Sequence, residues 1–245
     1  MTDELIKFAK ISCYAQSKGE AQFIYKEIFD DRCYDVPNLP EAPFVIDAGA
    51  NIGLFSLYMK QNYPASTILA FEPAPTTFDV LRRNLKLHNI SEVEALPIGL
   101  ASKASTEWLT YYPRMPGNST LVPEEKKELY EEAVKVYGQK AADEHFGDSQ
   151  EVEVKVQRLS YFLSRCPDLV SIDLLKIDVE GAELEVLLGL DDVHWFMIRN
   201  IVLETCEKSG ARVTIEELLQ SKGFAVTREA ASWAPKDFYM IRASR

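Results

Sequence analysis

The sequence has 245 residues, of which 47% are hydrophobic and 27% charged, and its formal net charge is −11. This length and composition predict one globular domain whose core is large enough to be stable without a metal ion or a disulfide. An acidic surface repels phosphate backbones, so nucleic acid is not expected as a partner.

The spacing of the cysteines and the length of the apolar runs indicate where in the cell the protein is located. Cys13, Cys33, Cys166 and Cys206 show no paired or metal-binding spacing, which indicates reduced thiols and a cytoplasmic protein. The first ten residues lack the apolar core of a signal peptide. No apolar run approaches the ~18–20 residues needed to cross a membrane, so we predict no membrane partner.

Residues 1–43 are predicted to form an N-terminal helical lid and a connector. Apolar residues at helical spacing predict helices across residues 3–33, with Gly19 as a possible break. Tyr25 and Tyr34 are candidate substrate-side residues on this lid. Packing in the core is the alternative role for both tyrosines.

The segment 44–53, F-V-I-D-A-G-A-N-I-G, carries the strongest signal. An apolar run ends in Asp47, and Gly49 and Gly53 frame a short turn, which predicts a buried strand, a tight turn and a helix. Such a turn lets a ligand approach the backbone and the helix N-terminus. A dinucleotide fingerprint needs G-x-G-x-x-G, but Asn51 replaces its second glycine, which argues against NAD or FAD. Asp47 suits an ammonium group, such as that of S-adenosylmethionine.

A second apolar strand, residues 67–71, ends in Glu72 and Pro73. An acidic residue at this strand end can accept hydrogen bonds from both ribose hydroxyls of an adenosyl ligand. A helix over 75–88 and a strand over 93–100 follow. This alternation predicts a doubly wound parallel sheet, with the ligand beyond the carboxyl ends of its strands.

Residues 101–160 interrupt the alternation. Strand patterns at 106–112 and 151–156 predict a β-hairpin, and a charged helix over 123–143 is inserted between its strands. The insertion is a candidate lid, and a solvated helix without a role is the alternative. Asn118, in the loop before the helix, is a third candidate substrate-side residue.

Two later apolar strands also end in acids. The strand over 172–180 carries Asp178 and Glu180, which alternation places on the same side of the strand end. The strand over 198–205 carries Glu204. Two such carboxylates can raise each other's pKa and serve as a general base, or can bind a divalent cation.

The chain closes with a predicted antiparallel hairpin. Its strands are residues 224–227 and 238–241, joined by a loop that contains Ser232–Pro235. With the glycine turn and the strand-end acids, this ending resembles the class I S-adenosylmethionine-dependent methyltransferases. Their fold is an α/β, Rossmann-like, mostly parallel seven-stranded sheet with one antiparallel strand near its C-terminal end.

Four segments narrow the resemblance to the FkbM methyltransferase family: residues 45–53, 71–73, 174–183 and 202–204. Residues 22–29 and 115–121 look like the FkbM-type O-methyltransferase domains of polyketide and non-ribosomal peptide assembly lines. The resemblance implies a single domain that methylates a hydroxyl of a small natural product or a carrier-bound intermediate. Its parts are the lid and connector (1–43), the cofactor-binding half (44–100), the hairpin with its insertion (101–160) and the C-terminal half of the sheet (161–245).

The resemblance also implies roles for single residues. The turn and the loop after the third strand would surround the cofactor, through Asp47, Gly49, Ala50, Asn51, Gly53, Glu72, Pro73, Ile98 and Asp178. Asp178 and Glu204 are the first candidates for the base and Glu180 the third. A divalent metal at Asp178 and Glu204 is an open alternative that we do not expect.

One position departs from the family pattern. Assembly-line members are expected to carry a His-Asp pair soon after the last strand-end acid, where this chain has Cys206 and Glu207. No catalytic histidine is therefore carried over. The alternatives are a cofactor-binding but inactive module, a methyltransferase acting on a protein or other acceptor, and a nicotinamide oxidoreductase, which Asn51 disfavours.

Overall fold

The computed structural model describes residues 3–207, 210–231 and 237–245. Its N-terminal part corrects the prediction of helices across residues 3–33. The elements there are an antiparallel hairpin and one helix that ends in a π-helical turn: β1 (Glu4–Lys7), β2 (Ser12–Ala15), α1 (Lys18–Tyr25) and the turn Lys26–Asp30.

The burial pattern explains this error. Ile11, Cys13 and Ala15 are buried while the residues between them are only partly buried, which is the period of two expected of a strand. The helix begins where Ser17 caps it, because the Ser17 hydroxyl oxygen accepts the backbone N–H of Glu20 at 3.3 Å.

The next segment alternates as predicted: β3 (Phe44–Ala48), α2 (Leu54–Asn62), β4 (Thr67–Phe71), α3 (Pro75–Leu87) and β5 (Val93–Leu96). The strand predicted over 93–100 is divided, since β6 (Gly99–Leu100) belongs to another sheet. Pro97 stands at the division, where its missing N–H prevents continued pairing as a strand.

The predicted hairpin and its helical insertion are present as β7 (Ser105–Tyr111), a 3₁₀ turn (Pro116–Asn118), α4 (Pro123–Tyr137), α5 (Gln139–Phe146) and β8 (Gln150–Gln157). β7 and β8 pair antiparallel, and β6 joins β8 to complete a three-stranded sheet. The insertion is two helices and not one, because Gly138 has a φ of 85° and breaks the helix.

The remaining elements are α6 (Leu159–Leu163), β9 (Leu174–Ile177), α7 (Glu183–Leu188), α8 (Asp192–Trp195), β10 (Asn200–Cys206), α9 (Ala211–Ser221), β11 (Ala225–Ala230) and β12 (Phe238–Ser244). The predicted loop Ser232–Pro235 lies outside the described residues. No helix in the described ranges is long and apolar enough to span a bilayer.

The central sheet has seven strands in the order β11-β12-β10-β9-β3-β4-β5. β12 runs antiparallel to both of its neighbours, and the other pairs from β10 to β5 are parallel. This confirms the predicted doubly wound α/β fold with an antiparallel C-terminal hairpin. The strand order reverses between β3 and β9, which is where such sheets bind ligands.

The core lies on both faces of this sheet. Val45 and Leu174 are buried in a cluster on one face, and their neighbours Ile46 and Leu175 are buried in a cluster on the other. Strands covered on both sides read as continuous apolar runs, which explains why their polar residues are confined to the strand ends.

Candidate active site

A cavity of about 730 Å³ opens at the carboxyl ends of the parallel strands. Its floor is the turn after β3 and the ends of β4, β9 and β10. Its walls are α1 on one side and the insertion helices α4 and α5 on the other. This is the size and position expected of a small-molecule site in such a sheet.

The turn after β3 packs directly against the end of β9. Gly49 has a φ of 77°, and a Cβ built on it would lie 1.7 Å from the backbone oxygen of Asp178. Its backbone N–H and that of Ala50 both donate to the carbonyl of Phe71, at 3.0 and 2.9 Å. Only glycine fits this position, because a side chain would collide with the backbone that follows β9.

Glu72, at the end of β4, is tied to this turn. Its two carboxylate oxygens accept the backbone N–H groups of Asn51 and Ala74, each at 2.9 Å. Burial raises the pKa of Glu72 to about 7, although both hydrogen bonds lower it. Each oxygen retains a lone pair, so the carboxylate can still accept hydroxyl donors from the cavity.

Three acids, Asp178, Glu180 and Glu204, line the cavity beside the glycine turn, and we call them the strand-end acids. Burial raises the pKa of Glu204 well above its usual value, and repulsion from the other two adds to that shift. Burial also raises the pKa of Glu180, although Lys126 opposes this effect. The three carboxyls share one cavity. The strand predicted over 172–180 is β9, which ends at Ile177, so Glu180, with a φ of 55°, reaches the cavity from a turn and not by strand alternation.

Lys176 connects the turn after β3 to the strand-end acids. Its Nζ donates to the carbonyl of Gly49 at 2.6 Å and lies 3.3 Å from Asp47 and 3.5 Å from Asp178. Burial lowers the pKa of Lys176, but the two carboxylates outweigh it and the pKa is raised. The ammonium group therefore stays charged and fixes the turn.

Asp47 faces this lysine and not the cavity. It is fully buried, and its Oδ2 accepts the hydroxyl of Ser56 at 2.8 Å. Asp47 does not line the cavity, although the sequence placed it beside a ligand ammonium group. The reason is that β3 is covered on both faces, so the side chain at its end turns toward α2 and β9.

The other predicted residues separate into two groups. Asn118 and Pro73 line the cavity. Ala50, Gly53 and Ile98 lie in the adjoining turns, where Gly53 begins α2 with a φ of 89°. In the loop that contains Ile98, it is Gly99 and Leu100 that face the cavity.

Neither predicted lid tyrosine lines the cavity. Tyr25 is buried in the core, where its ring stacks between those of Phe8 and Phe29. Tyr34 is also buried, but its hydroxyl donates to Asp178 at 2.9 Å. Tyr34 therefore holds one of the strand-end acids from behind, as a positioning residue and not as a substrate contact.

Sequence reasoning missed several charged residues of the cavity, among them Glu20 and Lys126. Glu20, on α1, is 6% exposed and accepts the backbone N–H of Gly117. Lys126, on α4, is 4% exposed and lies 2.5 Å from Glu180. Glu20 matches the capping-box pattern S-x-x-E, which indicates a helix cap and not a cavity residue. Lys126 lies within a charged run, which is typical of a solvent-exposed helix face.

Replacing Lys126 by methionine is expected to lower the free energy of unfolding by about 3 kcal/mol, because it leaves Glu180 as an unpaired, partly buried carboxylate. Urea denaturation measures this loss, and proteolysis of α4 should become faster as the insertion loosens. Lys127→Met is the control, since Lys127 is exposed and its loss should cost under about 0.5 kcal/mol. Equal effects of the two variants would show that the ion pair does not hold the insertion.

Among the described residues, no three His, Cys, Asp or Glu side chains are arranged to hold a metal ion.

The chain matches known proteins over most of its length. The model of the methyltransferase FkbM domain family matches residues 47–226. Methyltransferase sdnD of Sordaria araneosa is 60% identical over 252 aligned residues, covering 100% of this chain and 97% of the relative. The 31-O-demethyl-FK506 methyltransferase FkbM of Streptomyces tacrolimicus is 36% identical, covering 93% and 91%.

A solved structure shares the fold. The crystal structure of Methyltransferase FkbM from Methylobacillus flagellatus superposes with a TM-score of 0.55 at 12% identity, covering 84% of this chain and 45% of the other.

Proposed function

The chain belongs to the FkbM family of S-adenosylmethionine-dependent methyltransferases, and on that premise we propose that it methylates a hydroxyl group of a small, mainly apolar natural product. One observation carries the proposal. The strand-end acids lie beside the glycine turn at the floor of a cavity whose far wall is apolar.

The residues of the floor fit the cofactor. Gly49 lines the cavity, and its close packing on the backbone of Asp178 fixes the turn there. Glu72 offers buried carboxylate oxygens with free lone pairs for ribose hydroxyls. The side-chain oxygen of Asn51 is buried without a hydrogen-bond partner, so it is available to accept a hydrogen bond from a ligand.

When bound, S-adenosylmethionine supplies a methyl group already activated by a positive sulfur, so the protein has to align the acceptor and remove its proton. Alignment of reacting groups is worth ~7–11 kcal/mol of barrier, and a positioned base adds ~10²–10⁴-fold. A carboxylate accepts a hydroxyl proton well only if its pKa lies near the working pH.

Among the strand-end acids, Asp178 lies beside Lys176 and Glu180 pairs with Lys126, which leaves Glu204 without either of these ion pairs. Its pKa is raised by burial and by its acidic neighbours, and we assign it as the base. Asp178 is hydrogen-bonded to Tyr34 and lies beside the Lys176 ammonium group, so it is fixed in place. We assign Asp178 to orienting the acceptor hydroxyl toward Glu204.

The walls favour an apolar acceptor body. Leucines and aromatic residues from β7, α4, α5 and the loop before α4 face the cavity: Leu109, Leu121, Leu129, Tyr137 and Phe146. Burying such surface contributes about 25 cal/mol per Å². The relative from Streptomyces tacrolimicus is named a 31-O-demethyl-FK506 methyltransferase, and this name supports an oxygen acceptor.

The test is methyl transfer to a panel of apolar alcohols and phenols, each paired with its deoxy analogue. We expect S-adenosylhomocysteine and the methyl ether from hydroxylated members only, measured by mass spectrometry and NMR. Methyl transfer to nitrogen, carbon or protein would contradict the assignment. Cofactor binding without turnover on free or carrier-bound hydroxyls would indicate an inactive module instead.

A further inference from the structure

Glu20 is a buried acid for which the mechanism above has no use. It lies on α1, outside the cofactor-binding half of the sheet, yet its side chain lines the cavity. One of its oxygens accepts the N–H of Gly117. Among the residues that the structure describes, no lysine, arginine or histidine forms an ion pair with it.

The surroundings of Glu20 are themselves acidic. Glu72 and Glu180 both repel it, and burial together with this repulsion raises its pKa to about 7. Tyr111 is another titratable group that interacts with it. A carboxylate in such a place is costly unless a positive charge neutralises it, and the described part of the protein does not supply that charge.

Glu20 also lies next to the glycine turn. A Cβ built on Gly117 would lie 2.7 Å from a carboxylate oxygen of Glu20 and 3.1 Å from the side-chain nitrogen of Asn51. The side chains of Glu20 and Asn51 therefore both lie close to Gly117. The unpartnered oxygen of Asn51 is in this same corner of the cavity.

The amino-acid end of the cofactor carries an ammonium group, and Asp47 does not reach the cavity to bind it because Ser56 and Lys176 already hold it. We propose that Glu20 is the residue that binds the ammonium group of the cofactor, with the side-chain oxygen of Asn51 as a second acceptor. Helix α1 thereby covers the methionine end of the bound cofactor. The proposal rests on the family's cofactor and not on the hydroxyl acceptor.

Calorimetric titration tests this assignment without any acceptor, so it can fail independently of the proposed reaction. The ligands are S-adenosylmethionine, S-adenosylhomocysteine and 5′-methylthioadenosine, which lacks the amino-acid end. Glu20→Gln should weaken binding of the first two by roughly 10- to 100-fold, the range for a hydrogen bond to a charged group. It should leave 5′-methylthioadenosine within about twofold, and Glu20→Asp, which keeps the charge, should lose less.

Two controls keep the result interpretable. Glu41→Gln removes one exposed charge from the connector and should leave all three affinities unchanged. Without ligand at pH 8, Glu20→Gln should melt at a higher temperature than the parent, because it removes an unpaired buried carboxylate, and this gain should vanish at pH 5, where the parent's Glu20 is protonated.

The outcomes are distinct. Equal weakening of all three ligands would place Glu20 at the ribose or adenine and overturn the assignment. Weakening of S-adenosylmethionine alone would point to the sulfonium and overturn it as well. No change in any affinity would show that Glu20 does not touch the cofactor.

Discussion

Replacing Gly49 by alanine is expected to abolish measurable cofactor binding, with a loss of at least about 100-fold in affinity, and to lower the free energy of unfolding by about 3 kcal/mol or more. The added Cβ would lie 1.7 Å from the backbone oxygen of Asp178, and the φ of 77° disfavours any side chain. The strain cannot be relieved by a side-chain rotation, because the obstacle is the backbone of β9.

Calorimetry with S-adenosylhomocysteine and urea denaturation measure the two effects. Gly19→Ala is the matched control, since nothing lies within 4 Å of a Cβ at Gly19, which is in α1. It should bind the cofactor normally and gain about 0.5–1 kcal/mol in stability. A Gly49→Ala variant with parental affinity would show that the turn does not form the cofactor site.

Replacing Glu204 by glutamine is expected to lower kcat by ~10²–10⁴-fold while cofactor affinity changes by less than about threefold. The amide has nearly the same shape but cannot accept the proton. Asp178→Asn should differ, because Asp178 holds Tyr34 and Lys176 and lies against the glycine turn. That variant should lose cofactor affinity as well as rate.

The pH dependence provides a second readout on Glu204. Its pKa is raised in the folded protein, so the parent enzyme should gain rate as pH rises through that value, and the glutamine variant should lack this rise. The stability effect has the opposite sign. A carboxyl whose pKa is raised on folding contributes stability below its unfolded pKa, and this contribution is lost as pH rises through the folded value.

Glu204→Gln should therefore melt above the parent at high pH and not at pH 4. Glu217→Gln, an exposed substitution on α9, should change neither rate nor pH profile. Retention of full turnover by the Glu204 variant on an accepted alcohol would transfer the role of base to another group.

The sheet and its floor were predictable because their signals are local. An apolar run, an acid and a pair of glycines define the β3 turn within ten residues. An apolar run followed by an acid likewise marks the ends of β4, β9 and β10. The N-terminal hairpin was misread because Leu5, Phe8 and Ala9 fit a helical period by chance. Its strands are fixed by tertiary contacts, such as the side chain of Asn84 with the backbone of Tyr14.

The contacts that complete the site join distant parts of the chain. Glu20 meets Gly117, and Lys126 meets Glu180, across 97 and 54 positions of sequence. Local patterns report which residues are polar but not which ones become buried together. For the same reason, the sequence could place Asp47 at a strand end. It could not reveal that the Asp47 side chain is buried against Lys176 and does not line the cavity.

The separate origin of the cavity's wall has a consequence for how this protein can diversify. The floor belongs to the central sheet, whereas α4 and α5 are a segment carried between β7 and β8. Apart from Lys126, which pairs with Glu180, changes of length or shape in that segment should leave the β3 turn and Lys176 undisturbed. Natural variation and deliberate redesign of acceptor choice should therefore accumulate in residues 123–146, while the residues at the strand ends below stay the same.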